Sequence, residues 1–289
     1  MSATSLTRLP AVSARRRRTD KVMRGLLLAG TLIALVPLVL IIYHLLKNGL
    51  KSWSGSFFTT DPTGSFFGNP GGIRSAILGS LEIVALATVL AVPAGIGVAL
   101  YLTEYGKRSR FANAVRYFID VMTGVPSIMF GLFIYIVLVK GTGFAGWKGS
   151  VAIALLMAPI VVRSAEVVLA LVPDSLREAA LALGAPRWRV IARVVLPTAL
   201  PGLVTGSLLA VARGMGETAP LIFTVSTAFG LTFNLGQQMN TLPFQIFNDI
   251  QSPRQAIVDR AWGAALALVV IVLIFNVVAQ TVARRSRRS

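Results

Sequence analysis

Of the 289 residues, 55% are hydrophobic and 13% charged, the formal net charge is +17 and cysteine is absent. A soluble domain carries roughly 25% charged residues, so this composition, with a mean hydropathy of +0.73, excludes an ordinary soluble fold. The lack of cysteine excludes disulfides, thiolate metal sites and cysteine nucleophiles.

Six apolar runs reach or approach the ~20 residues that cross ~30 Å of hydrocarbon: residues 25–46, 76–102, 116–139, 150–172, 199–225 and 261–283. None alternates as a strand does, so the predicted fold is all-α, a polytopic membrane bundle of six transmembrane helices. Residues 1–24 form a basic tail. The first span and a polar segment occupy 25–70, a compact five-span unit runs over 71–283, and 284–289 is a second basic tail. Most of the 28 Lys and Arg fall in the two tails, the 103–116 loop and a loop at 173–197. That bias places both termini and the 173–197 loop in the cytoplasm. The runs at 15–18 and 284–288 therefore read as topology anchors beside anionic membrane lipid, not as a nucleic-acid surface. The first span is longer than a signal-peptide core and no small-residue cleavage pattern follows Lys47, so it is expected to stay. His44, the one histidine, reads as a packed or interfacial residue, and no metal or cofactor is expected.

Between the first two spans, Phe57, Phe58, Phe66 and Phe67 lie among Gly, Pro, Ser and Thr and read as interfacial anchors. Pro37, Pro93, Pro126, Pro159, Pro201 and Pro220 lie within spans, where each removes a backbone donor and bends or breaks its helix. Gly202 and Gly206 form a GxxxG that predicts close helix packing. The apolar stretch at 242–247 predicts a short helix along the surface.

The 173–197 loop has a pattern of its own. Ser175 and Glu178 fit a capping box. Leu176, Ala179, Ala180 and Leu183 share one helical stripe. Gly184 ends that helix and Pro186 begins another, on which Trp188, Ile191, Val194 and Val195 share a side opposite Arg189 and Arg193. A two-helix elbow between spans is a handle for something outside the bilayer.

Charged residues inside or close to spans are Glu82, Arg163, Glu166, Arg213 and Glu217. Each charge at the bilayer centre costs at least ~2.5–3.5 kcal/mol, so these side chains face the protein interior or a watery path. Arg163 with Glu166, and Arg213 with Glu217, are spaced to share a helix face. Two readings fit: internal ion pairs that hold helices together, or an anion path. In the second, the guanidinium fork receives a tetrahedral oxyanion, and the carboxylate beside it keeps binding weak enough for release.

Glu178-Ala179-Ala180, then Gly184, then Leu196-Pro197, resembles the EAA loop of ABC-type import permeases. Gly216-Glu217-Thr218-Ala219-Pro220-Leu221 resembles the PstA family of phosphate permeases, as do Gly71-Gly72-Ile73, Tyr101-Leu102-Thr103-Glu104-Tyr105, Gly124-Val125-Pro126-Ser127-Ile128, Leu242-Pro243 and Ala261-Trp262-Gly263-Ala264-Ala265. The resemblance covers about residues 71–282. It implies the type-1, MetI-like ABC importer fold, with Arg213, Glu217 and Arg163 in a translocation path; Glu166 and Glu82, charged and within spans, are expected to line it as well. It also implies that Arg177, Glu178, Ala179, Ala180, Gly184 and Ala185 seat on an ATPase. The implied partners are a second permease subunit, PstC, two copies of the ATPase PstB and the binding protein PstS, with phosphate as substrate. Sulfate or molybdate is the alternative cargo. The chain contains no GxxxxGK[ST] phosphate-binding loop, so ATP hydrolysis is expected of the partner and not of this subunit.

Overall fold

The structure, a computed structural model, describes residues 14–285 except Phe66, Lys107 and Arg108; the outer parts of both basic tails lie outside the described residues. The chain divides into two units, Met1–Lys47 and Asn48–Ser289. The first holds most of helix α1 (Ala14–Gly49), which stays helical through Pro37.

The second unit contains α2 (Gly55–Thr59), α3 (Arg74–Leu100), α4 (Arg110–Gly124), α5 (Ser127–Ile134), α6 (Gly146–Ala170), α7 (Asp174–Ala182), α8 (Arg187–Val190), α9 (Leu196–Met215), α10 (Ala219–Ile222), α11 (Leu242–Asp249) and α12 (Gln255–Arg285). Single π-helical turns prolong α3 (Tyr101–Tyr105) and α5 (Tyr135–Val139) and join α8 to α9 (Ile191–Val195). Among the described residues there is no β-strand, only one isolated bridge between Pro62 and Gly71.

Among the described residues, five stretches are long and apolar enough to cross a membrane: Arg18–Ser52, Arg74–Tyr105, Gly146–Ala170, Arg187–Met215 and Gln255–Val278. The expected span at 116–139 is bent, as Pro126 within it predicts. It is a bent pair, Arg110–Gly124 and Ser127–Val139, meeting at 102°. Pro126 supplies the cause: it lacks a donor and forces Val125 into extended backbone (φ −72°, ψ 130°). The fifth expected span is displaced as well. The helix is continuous from Arg187 to Met215 and stops at Gly216, short of the expected 225. Pro220 stands in the first turn of α10, after that break, but three other prolines behave more mildly than expected. α3, α6 and α9 run on through Pro93, Pro159 and Pro201, as membrane helices tolerate where neighbours satisfy the freed carbonyl.

The centre of the second unit is α3, α6 and α9, with Ile83, Ala87, Ile153, Met157 and Ala210 fully buried between them. Small residues set the spacing. A Cβ on Gly95 of α3 would lie 2.7 Å from Val161 Cγ1. On α9, Gly202 lies against Val168, Gly206 against Ser164 and Gly214 against Met157, so the GxxxG packs α9 onto α6. Close approach matters here because lipid tails give helices no hydrophobic reason to associate. Helix α11 is sunk into a second cluster with Leu242, Phe57, Ile73, Ala264 and Ala267. Phe57 is therefore core and not an interfacial anchor, whereas Phe67 is exposed. A buried pair, Asp249 and Arg260 at 2.7 Å, ties α11 to α12.

Gly131 of α5 meets the backbone of α10 directly: an added Cβ would stand 2.6 Å from Pro220 Cα. Gly131→Val therefore overpacks that contact, at a cost of about 1–3 kcal/mol. We expect a lower yield and a lower thermal midpoint for the purified complex. An unchanged midpoint would show that α5 and α10 do not touch.

Candidate functional site

The elbow begins two residues earlier than its sequence signal. Helix α7 starts at Asp174 behind Pro173 with no side-chain cap, so the Ser175–Glu178 capping box is not used. Its end is as expected: Gly184 adopts φ +79°, and its N–H bonds back to the Leu181 carbonyl at 2.9 Å. Pro186 is the N-cap of α8. The π turn at Ile191–Val195 adds a residue to the helix and rotates its faces. Val190 and Val195 consequently point into the core, and Trp188 stays exposed beneath the Arg189 guanidinium at 5.2 Å. The outer surface of the elbow carries Leu176, Glu178, Ala179, Leu181 and Leu183, the last 90% exposed.

Arg177 does not belong to that surface. It turns inward, with its side chain 12% exposed against 10% for Glu104. Its Nη2 donates to Glu104 Oε1 at 2.9 Å and to the Leu169 carbonyl at 2.9 Å. Its Nη1 donates to the Val172 carbonyl at 2.6 Å and to Asp174 Oδ1 at 2.9 Å. One guanidinium thus fastens the elbow to the ends of both α3 and α6. A cavity of about 410 Å³ lies beside this fastening, between Glu104, Arg187 and Val190.

The intramembrane charges form two separate groups. In the first, Glu166 of α6 accepts from Arg163 at 3.0 Å and from Arg116 of α4 at 2.7 Å. Arg163 also donates to Asp120 of α4. Arg116 reaches further, to the Leu102 carbonyl at 2.8 Å. Asp120, Arg163, Glu166 and Arg116 therefore make a ladder of alternating sign across the α4–α6 interface, ending on the π turn that also carries Glu104. In the second group, Arg213 and Glu217 approach to 3.4 Å. Arg213 closes α9 and Glu217 lies in the break before α10. Their exposures are unequal: Arg213 is 60% exposed and Glu217 16%. Gly214 faces Met157, six positions before Arg163 on α6, so the two groups are separated by roughly 9 Å along the helix axis. Glu82 joins neither group, and its Oε2 is buried without a partner.

Asp120, Arg116 and Glu104 were not among the expected site residues. Arg116 and Asp120 stand four apart, the same spacing that singles out Arg213 and Glu217, so that rule applied to α4 finds them. Glu104 has no such signal, because its partner is 73 residues away.

The fold and the elbow define the membrane component of an ABC-type importer. Residues 91–289 match the family described as "Binding-protein-dependent transport system inner membrane component". The fold is shared with the bacterial alginate ABC transporter solved in complex with an alginate pentasaccharide-bound periplasmic protein (TM-score 0.66, 16% identity, 93% of this chain and 96% of that one). Over 271 residues the chain is 41% identical to the "Phosphate transport system permease protein PstA" of Yersinia pestis, covering 92% of this chain and 90% of the relative. Against the protein of the same description from Haemophilus influenzae it is 39% identical over 263 residues, covering 91% and 93%. The chain belongs to the PstA family of binding-protein-dependent inner-membrane permeases, and it is a multi-pass membrane protein.

The Arg177–Glu104 fastening predicts a measurable loosening of the elbow. Arg177→Met should make residues 174–190 readily cut by limited proteolysis of the purified complex. Glu104→Gln should do so to a lesser degree, because two carbonyls and Asp174 still hold Arg177, and should add little in the double variant. Equal protection of all three variants would remove the fastening from the account.

Proposed function

We propose that this chain is a translocating subunit of an ATP-driven importer of inorganic phosphate. It lines the path together with PstC, receives phosphate from PstS on the outer side, and is moved by two copies of PstB on the cytoplasmic side. Both termini and the elbow lie in the cytoplasm in this reading, and the subunit itself hydrolyses nothing.

The observation that carries the reading is Arg213. An arginine keeps its charge at any pH, and here it sits in the last turn of a membrane-crossing helix with more than half its side chain uncovered and one carboxylate at 3.4 Å. Such a charge needs a second polypeptide, water or an anion over it. The fork of a guanidinium suits a phosphate oxygen pair, and Glu217 offsets part of its field, so that the ion is held without being trapped. The likeness to the phosphate permeases named above points to the same cargo. The elbow supports the motor part of the proposal. Leu183 stands almost wholly uncovered and Leu176 and Leu181 are partly so, as a surface meant for an ATPase cleft would be, while Ala180 and Ala185 pack inward on the core and Arg177 keeps the elbow from moving independently of α3 and α6.

Two experiments test this function. Arg213→Gln should abolish phosphate uptake while the assembled complex still purifies; uptake within about twofold of wild type would take Arg213 out of the path. At Gly184 no atom lies within 4 Å of an added Cβ, so a substitution acts through backbone strain alone. A left-handed residue with a β-branched side chain costs at least ~1–2 kcal/mol. Gly184→Val should therefore uncouple ATP hydrolysis from uptake or release the ATPase on purification. Intact ATP-driven uptake would count against the elbow as the coupling element.

A further inference from the structure

We infer that Asp120 is a resident counter-ion for Arg163, occupying the guanidinium when no anion is present and giving way when one arrives. The inference rests on the anion-path reading of Arg163 above and adds to it a residue that acts on the same site.

The two carboxylates on Arg163 are held very differently. Glu166 lies between two guanidinium groups, Arg163 at 3.0 Å and Arg116 at 2.7 Å, and is 16% exposed. Taking it from Arg163 would strain a buried pair, and removing it would leave Arg116 uncompensated, which is the costly way to break such a network. Asp120 has one charged partner, Arg163, and is 56% exposed. Its release leaves a carboxylate in contact with solvent or the path and orphans nothing else. Arg163 itself is 36% exposed, so an incoming ion can reach it. A tetrahedral oxyanion brings two acceptor oxygens to the planar fork and displaces the one labile ligand while Glu166 stays in place. The charge on the site then changes little during the exchange, which keeps both the empty and the occupied states affordable at membrane depth.

The location adds a consequence. Asp120 and Arg116 are the two charged ties of α4 to α6, and Gly124 and Ser127 flank the 102° bend into α5. Exchange at Arg163 frees one tie of α4 and keeps the other.

The test uses the purified complex of this chain with its partner permease and ATPase, without binding protein, and measures retention of radiolabelled inorganic phosphate and, separately, sulfate. Asp120→Asn keeps the size and a hydrogen-bonding group but removes the competing charge. It should tighten phosphate retention by at least about fivefold, the low end of coupling between linked sites. Asp120→Glu should behave as wild type, and Arg163→Gln combined with Asp120→Asn should lose the gain. Unchanged or weakened retention of both anions in Asp120→Asn overturns the inference. So does failure of that variant to assemble, which would make the contact architectural. A gain for sulfate with none for phosphate would support Asp120 as the counter-ion while refuting phosphate as the cargo.

Discussion

The structure is governed by one constraint: an ionised side chain at membrane depth needs an opposite charge or water. Every interior arginine of the second unit obeys it. Arg116 and Arg163 share Glu166, Arg260 is held bidentately by Asp249, and Arg177 is closed off by Glu104. These pairs are worth little as net stabilisation, because desolvation offsets most of the Coulomb gain. Their value is positional. Arg163 and Glu166 share α6, but Arg116 on α4, Asp249 with Arg260 and Glu104 with Arg177 join different elements, so satisfying those charges fixes which helices lie side by side. Dispersion then holds what the charges have aligned, through Gly95, Gly206 and Gly214. Arg213 and Glu82 are the residues at which the rule is incompletely met within this chain, and a path shared with a second subunit would lie where they do.

The π turn at Tyr101–Tyr105 is where the membrane charges and the elbow come together. A π turn widens the helix by one residue and disturbs its i→i−4 ladder, which is why such turns recur at functional sites. Here the Leu102 carbonyl accepts from Arg116, and two residues on Glu104 accepts from Arg177. The end of α3 thus offers a backbone carbonyl to one neighbouring element and a carboxylate to another. The contacts from Asp120 to the elbow are unbroken: Arg163, Glu166, Arg116, the π turn, Arg177. Contiguity alone does not make a relay, but it does mean that α4 and α7 are referred to the same five residues of backbone.

Much of this was readable from the sequence because membrane insertion writes long-range information into local composition. Span length, the excess of basic residues in certain loops, Gly184 at the end of α7 and the packing role of Gly202 and Gly206 each follow from a rule acting over a few residues. The misreadings share a cause. The run at 116–139 is apolar enough to cross and Pro126 marks its bend, but neither signal gives the angle of 102°. Phe57 and Phe58 look alike in sequence, and only tertiary packing buries Phe57. Arg177 sits in the elbow motif beside Glu178, yet a partner 73 residues away turns it inward. Ser175 has the right successor for a capping box, but Pro173 starts the helix earlier.

The arginines are better suited to passing an anion as partly neutralised groups than as bare ones. At an effective dielectric of 20, a unit charge 4 Å from a guanidinium is held by about 4 kcal/mol, and a doubly charged ion by about twice that. That depth would slow release through a bare site by several orders of magnitude. A carboxylate at comparable distance cancels much of the field while leaving the directional hydrogen bonds of the fork in place. On the proposed phosphate path, Arg213 beside Glu217 and Arg163 beside Asp120 and Glu166 would make two shallow wells rather than one deep one, so that helix movement, and not ion release, would set the pace of passage.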